Sequence, residues 1–340
     1  MDMLFEKLSR LSGSCFIGNI TETADVIIEQ ISPYVDEISR DKTGGVIAKI
    51  NGKSDYTLFY QAHMDEIGMI VTKVLGDGFV KAAAVGGIDI RVLPSTKVTI
   101  HGKHDIPGIF TSTPPHLAKS TDSNKFPSFD EIMIDTGLKN ADELIETGDF
   151  ITYNAPLAKM SDDYVTGKSL DNRTGCLALI ESARLIFENG KPDNTVIYSF
   201  STGEELGNRG AAVAAYSIDA DEAIAVDVSF GLSPNAPSEH CGTLGDGTMI
   251  GISPVLSRDV FDKLTDSAES ENIKYQLEVM GGRTSTDADV IAISKSGVKC
   301  GLLSIPLRYM HTPIEVVKLS DIENVAMILA AYSKNGDKLC

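Results

Sequence analysis

Five segments of the chain carry residue types that bind divalent cations. They are Tyr60-Gln61-Ala62-His63-Met64-Asp65, Gly167-Lys168-Ser169-Leu170-Asp171-Asn172-Arg173, Phe200-Ser201-Thr202-Gly203-Glu204-Glu205, Ala225-Val226-Asp227 and Tyr309-Met310-His311-Thr312-Pro313. Two imidazoles and three carboxylates, one of them shared, give a pair of divalent ions a mixed nitrogen and oxygen shell. A two-metal site of this kind clamps a hydroxide and polarises a carbonyl, with its ions about 3.5–4 Å apart. It also needs a base to take the proton of the water. Glu204 and Glu205 are adjacent, so their side chains diverge, and one can bind metal while the other faces the water. Asp65, two residues after His63, is placed to hold the ring's other N–H, as metal-bound imidazoles require.

Taken singly, each residue has a plainer reading. A histidine at a strand end is usually hydrogen-bonded and structural. Asp171 before a helical run reads as an N-cap, and Asp227 as the start of an Asx turn. Glu204-Glu205 reads as a solvated loop. His101, His104, His116 and His240 carry nothing beyond such readings. Cys176 and Cys300 lie in apolar runs and read as core. Together the five potential ligands point to chemistry, because they fall at five consecutive strand ends.

The elements must bring those ends together. Val46–Ile50 and Thr57–Ala62 flank Asn51-Gly52-Lys53 and read as a β-hairpin whose second strand runs into His63. From Gly68 to Asp163, short β-branched runs such as Lys97-Val98-Thr99-Ile100 alternate with Gly and Pro turns, predicting a small β-rich domain. After Tyr164 the pattern alternates strand and helix. Cys176, Leu179, Ile180, Ala183, Ile186 and Phe187 share helical spacing, Thr195–Phe200, Ala223–Val226 and Lys299–Ile305 read as buried strands, and Val290–Ile293 starts a helix-like stretch. A last helix spans Ser320–Ala331, with Ile322, Val325, Ala326, Leu329 and Ala330 on one face. The expectation is an α/β fold with a mixed, largely parallel-cored sheet flanked by helices. Residues 1–67 and 164–340 form it, and 68–163 are an insertion. In open α/β sheets, sites form at the carboxyl ends of strands.

Composition narrows the rest. The chain has 340 residues, enough for two domains, and 42% of them are hydrophobic, so a large core is available. Its formal charge is -18, which argues against nucleic acid or an anionic membrane as partner. Five cysteines (Cys15, Cys176, Cys241, Cys300 and Cys340) with no C-x-x-C pair fit reduced thiols in a cytoplasm. The start, Met1-Asp2-Met3-Leu4-Phe5-Glu6-Lys7-Leu8, reads as an amphipathic helix and not a signal peptide. No apolar run approaches a membrane span.

Several stretches resemble the tetrahedral (TET) aminopeptidases, also called the glutamyl aminopeptidase and cellulase M family. They are Ala62-His63-Met64-Asp65-Glu66-Ile67-Gly68, the Gly167–Arg173 segment, Gly203-Glu204-Glu205-Leu206-Gly207, Val226-Asp227-Val228, Thr286-Asp287-Ala288 and Ile305-Pro306-Leu307-Arg308-Tyr309-Met310-His311-Thr312-Pro313. Gly86-Gly87-Ile88-Asp89 and Pro114-Pro115-His116-Leu117 match within the insertion. The resemblance covers nearly the whole chain. It implies a metallo-exopeptidase type of fold and a metal-dependent aminopeptidase that releases N-terminal residues from peptides by a two-metal-activated water. By the same resemblance His63 and Asp227 bind one metal, Glu205 and His311 the other, and Asp171 bridges. Glu204 is the general base and Asp65 orients His63. The implied cofactors are two divalent ions per subunit, zinc or cobalt. The implied assembly is a homo-oligomer of twelve subunits, with the inserted domain shaping contacts and substrate access. Gly281–Asp287 is expected beside the substrate pocket.

Other readings were weighed. A glycosidase uses paired carboxylates but has no use for His63, His311 or a bridging Asp171. A deacylase of small amides would use the same constellation. A catalytically silent scaffold has no reason to keep every ligand and the base. Arg283 and Arg308 can face an acidic substrate side chain or be merely solvated. The sequence does not choose the preferred first residue.

Overall fold

The computed structural model describes residues 2–114, 116–117, 126–234 and 236–334. Met1, Pro115 and Cys340, read above, lie outside the described residues. An eight-stranded mixed sheet forms the centre. Its order is Tyr275–Val279, Thr248–Ile252, Lys299–Leu307, Glu222–Phe230, Thr57–His63, Thr195–Ser201, Val46–Ile50, Glu37–Arg40. The middle four strands, from Lys299–Leu307 to Thr195–Ser201, run parallel. They are buried along almost their whole length, as strands covered on both faces must be.

Side-chain alternation decides which residues meet which layer. On one face Leu58, Tyr60, Ala62, Ile224, Val226, Tyr198 and Phe200 pack with the helices Asp2–Gly13, Glu22–Ile31, Leu170–Glu188, Arg258–Ser270 and Leu319–Tyr332. On the other, Phe59, Ala223 and Ala225 pack against Ala211, Ala214 and Ala215 of Arg209–Ser217 and Ala288 and Ile291 of Ala288–Ile291. Continuing that second parity along each strand reaches Gln61 and His63, Ser199 and Ser201, and Asp227. Toward the carboxyl ends of the strands, polar residues therefore take over from alanine on this face.

Strands between Gly68 and Tyr153 form a closed six-stranded barrel. Its order is Ile134–Asp135, Phe79–Val85, Gly68–Val74, Phe150–Tyr153, Lys97–His101, Asp105–Phe110, around its own core, which includes Met69, Val80, Val98, Ile100, Ile134 and Ile151. Ala158–Lys159 pairs instead with Tyr164–Gly167, which pairs with Glu315–Lys318, in a separate three-stranded sheet.

Two expectations need correction. Val46–Ile50 and Thr57–His63 are not a hairpin, because Thr195–Ser201 lies between them, antiparallel to the first and parallel to the second. Val46–Ile50 pairs with Glu37–Arg40. Gly52 is used for close approach: a Cβ there would lie 2.1 Å from the Asn194 carbonyl carbon. The amide of Gly52 donates to Thr195 Oγ1 at 3.1 Å. Phe187 is 59% exposed, because it has left the core face at the last turn and meets Tyr34, ring centroids 5.9 Å apart.

Candidate metal centre

His63 ends the strand Thr57–His63, and Asp227 lies within the neighbouring Glu222–Phe230. Ala225 pairs with Gln61, so the two residues beyond this pair, Asp227 and His63, arrive side by side. His63 Nε2 stands 3.7 Å from Asp227 Oδ1 and 3.1 Å from Asp171 Oδ1. Asp171 sits at the start of Leu170–Glu188, where Asp171 and Asn172 depart from helical angles. Its other oxygen, Oδ2, faces His311 Nε2 at 3.3 Å, and Glu205 Oε1 is 3.4 Å from the same nitrogen. Asp171 therefore stands between two imidazoles with one oxygen toward each. Glu204 Oε2 is 4.0 Å from His63 Nε2, while Asn208 Nδ2 donates to Glu204 Oε1 at 3.0 Å.

Each imidazole is held through its other nitrogen. The Asp65 carbonyl lies 3.3 Å from His63 Nδ1, and the Asp65 carboxylate 3.5 Å. Gly87, just after the barrel strand Phe79–Val85, sets its carbonyl 3.1 Å from His311 Nδ1. A carbonyl only accepts, so in the neutral tautomer each ring spends its proton on Nδ1. The lone pair on each Nε2 then faces carboxylate oxygens. That contact is repulsive unless a proton or a cation lies between.

The electrostatics make the same demand. Burial pushes the Glu204 carboxyl up to about 9, with Asp227, Asp287 and Asp171 adding to it against His63. Asp227 rises to about 6, again chiefly by burial, and burial raises Glu205 as well. The histidines hold protons against burial because of their carboxylate partners, which raise His311 to about 11 and His63 well above the ordinary value. Asp171 is also penalised by burial, but hydrogen bonds with His311 and His63 outweigh it and hold its carboxyl low. Lys168 and Arg173, which flank Asp171 in sequence, both pair with Glu66. Carboxylates thus outnumber available cations in a buried site. Three overlapping triads, His63–Asp171–Asp227, His63–Glu204–Glu205 and Asp171–Glu205–His311, can each place donor atoms around an ion.

Sequence reasoning assigned no role to three supporting residues. Glu315 is fully buried, and its Oε2 accepts from the Leu170 amide at 2.7 Å and the Asp171 amide at 3.2 Å. Its Oε1 accepts from the His311 amide at 2.9 Å. Asn208 and Asp287 extend from Glu204: Asn208 Nδ2 donates to Asp287 Oδ1 at 3.0 Å. Ser201 Oγ donates to Asp287 Oδ2 at 3.0 Å, and the Gln61 amide also donates there. Asp287 lay inside a recognised motif; Glu315 sits in an unremarkable strand. Asp65 does more than its sequence position suggests, since its two oxygens accept from the Glu204 and Glu205 amides at 3.2 and 3.3 Å.

A cavity of about 420 Å³ opens on the cluster and is lined by Arg283, Thr284, Ser285 and Thr286 of the Gly-rich loop. His240 also lines it. Arg308 is turned away, its Nε donating to the Leu232 carbonyl at 2.6 Å. His101 bridges Asp105 and Thr152 within the barrel. The described cysteines, Cys15, Cys176, Cys241 and Cys300, are free thiols. No helix among the described residues is long and apolar enough to cross a membrane.

The chain is similar to a lysyl aminopeptidase of Pyrococcus furiosus, 30% identical over 313 residues covering 90% of this chain and 89% of the relative. Its fold superposes on an aminopeptidase from the archaeon Desulfurococcus kamchatkensis with a TM-score of 0.91 at 29% identity, covering 98% and 95% of the two chains. A Pyrococcus horikoshii TET1 peptidase, described as assembling into a tetrahedron or a large octahedral shell, matches with a TM-score of 0.86 at 30% identity over 98% and 99%. With residues 44–328 matching the family model as well, the chain belongs to the M42 glutamyl aminopeptidase family and is a metal-dependent peptide hydrolase.

Proposed function

We propose that the chain is a two-metal aminopeptidase that releases N-terminal residues from peptides. The observation that carries this reading is Asp171, with one carboxylate oxygen 3.1 Å from His63 Nε2 and the other 3.3 Å from His311 Nε2. In this reading His63 and Asp227 hold one divalent ion, Glu205 and His311 hold the other, and Asp171 is shared. Zinc and cobalt both suit such a nitrogen and oxygen donor set. When bound, the ions supply Lewis acidity to the scissile carbonyl and acidify the attacking water.

The chain's own residues do the rest. Glu204 takes the proton of the attacking water on Oε2 and delivers it to the departing amine. Asn208 fixes Oε1, so the base presents one oxygen in one direction. Glu204 is kept protonated near neutral pH by burial and by its carboxylate neighbours. Two divalent charges beside it offset those neighbours and release it to act as a base. Asp65 fixes the amides of Glu204 and Glu205 and stands beside His63.

We further infer that residues 1–67 and 164–340 form the catalytic unit and that 68–163 serve assembly and substrate access. The likeness to the Pyrococcus horikoshii peptidase supports self-association, which we read as a closed homo-oligomer of twelve subunits. The free thiols suit a cytoplasmic setting. The central experiment compares a free peptide with its N-acetylated form while metal is removed and returned. Turnover should need both the free amine and two equivalents of divalent ion. Internal cleavage of the acetylated peptide at a comparable rate, or full activity without metal, would sink the reading. Light scattering that finds only monomer would sink the assembly.

A further inference from the structure

The cavity that opens on the cluster runs past Asp227 to Ser229, Met249 and Glu278. Ser229 follows Asp227 by two residues on the same strand, so both project to the same face. Across the sheet Asp227 is in register with Ser304, Ser304 with Met249, and the next strand carries Glu278 opposite Gly251. The Ser304 hydroxyl donates to Glu278 Oε2 at 2.7 Å, and the Ser229 hydroxyl donates to Oε1. Both oxygens of this half-buried carboxylate are therefore held by neutral donors. Among the described residues Glu278 has no ion pair, and its charge is left without a counterion.

That combination is unusual for a side chain that merely packs. A carboxylate fixed by two hydroxyl donors is held in place. The cavity gives a cation from outside the chain access to it. Two residues of strand, roughly 6–7 Å, separate the Asp227 position from the Ser229 position. A lysine side chain spans about 6 Å from Cα to its ammonium group. A first residue whose amine and carbonyl sit at the cluster would bring a long cationic side chain to Glu278. Arg283 lines the same cavity, but it is exposed and lies on the Gly-rich loop, whereas Glu278 is clamped.

We infer that Glu278 makes the first-residue pocket selective for a cationic side chain, lysine or arginine, at the peptide N-terminus. This rests on the cluster being the aminopeptidase centre. The test uses the full-length, metal-loaded protein with lysyl, arginyl, leucyl and glutamyl p-nitroanilides. The wild type should favour lysyl and arginyl over leucyl by at least about tenfold in kcat/KM, the scale expected of one partly desolvated charge pair. Glu278→Gln should collapse the lysyl-to-leucyl ratio by about 10–100-fold. Glu278→Asp keeps the charge but retracts it by one methylene, and should shift preference from lysyl toward the longer arginyl. Calorimetric binding of lysinol against leucinol gives the same ratio without turnover. Leucyl turnover with no cationic preference, a glutamyl preference, or an unchanged ratio in Glu278→Gln overturns this inference alone. No turnover of any reporter by metal-loaded wild type overturns the aminopeptidase reading and takes this inference with it.

Discussion

Gly87 links the barrel to the proposed metal centre, and substituting it separates the demands of the fold from those of the site. A Cβ at Gly87 would lie 2.5 Å from His311 Nδ1 and 2.8 Å from its Cε1, whereas ordinary contact begins at 3.4 Å. In Gly87→Ala the ring must therefore retreat by about 0.9 Å. The bond from Nδ1 to the Gly87 carbonyl, now 3.1 Å, is lost or badly stretched. His311 Nε2 moves relative to Asp171 and Glu205, which it now meets at 3.3 and 3.4 Å. Loss of such a supporting contact typically weakens metal binding about 10–100-fold, or about 1.4–2.7 kcal/mol. The metal-free protein tolerates the change far better, because the His311 side chain is 30% exposed and can swing outward. Its melting temperature should drop by only about 2–4 °C for each kcal/mol lost, and the loss should stay below about 1 kcal/mol. Calorimetric zinc or cobalt titration and thermal melts with and without ions read both quantities. Equal metal affinity in wild type and Gly87→Ala would refute the argument, as would a large destabilisation confined to the metal-free form.

Glu204→Gln should keep metal content near normal while kcat falls about 10²–10⁴-fold, whereas Glu205→Gln should lose metal and be partly rescued by adding it. The reverse pattern would exchange their roles. The metal-free protein should lose stability as pH rises from about 4.5 toward about 11. His63, His311 (to about 11) and Glu204 (to about 9) all have raised values in the fold, so their contribution is full below their unfolded values and is lost as pH rises through the folded ones. Ion loading should flatten this slope and release protons at pH 7, measured by melts across pH and by calorimetry in buffers of different ionisation enthalpy. Burial pushes Cys176 and Cys300 up to about 12, so iodoacetamide at pH 8 should label them only on unfolding, while half-exposed Cys241 reacts first; peptide mapping checks the order.

The proposed ligands could be picked out because strand alternation and strand ends are local properties. His63, Asp227 and the Glu204-Glu205 pair each follow a run whose apolar alternation names the face they join. What local pattern could not show is what lies next to what. Asn51-Gly52 carries the chemistry of a hairpin turn, yet its glycine is there to let Thr195–Ser201 pass beside it. The same residue type serves both purposes, and only the strand order separates them. Glu315 reads as a polar position in a short strand, but its carboxylate meets amides 145 and 144 residues away. Asn208 looks like an ordinary loop residue until its two contacts place it between Glu204 and Asp287. Glu278, too, is one charge on an edge strand until Ser229 and Ser304 are seen to share it.

The supporting contacts tie the proposed ligands together in pairs. Asp65 holds the amides of Glu204 and Glu205 with its two oxygens. Glu315 holds the amides of Asp171 and His311. In each case one buried carboxylate anchors the backbone of two residues that come from different roles in the proposed chemistry. Backbone anchoring fixes the Cα positions and leaves the side-chain oxygens free for a cation, which a side-chain hydrogen bond would not. Burial raises Glu315 well above its ordinary value, so ionising it is costly in a site that already lacks counterions. Such an arrangement is unfavourable for the fold alone. It becomes favourable when divalent charge is bound between preplaced donors, because little reorganisation is then left to do. The cluster's geometry and its electrostatic cost therefore have one common explanation: positions set by the backbone, and a charge balance completed by metal.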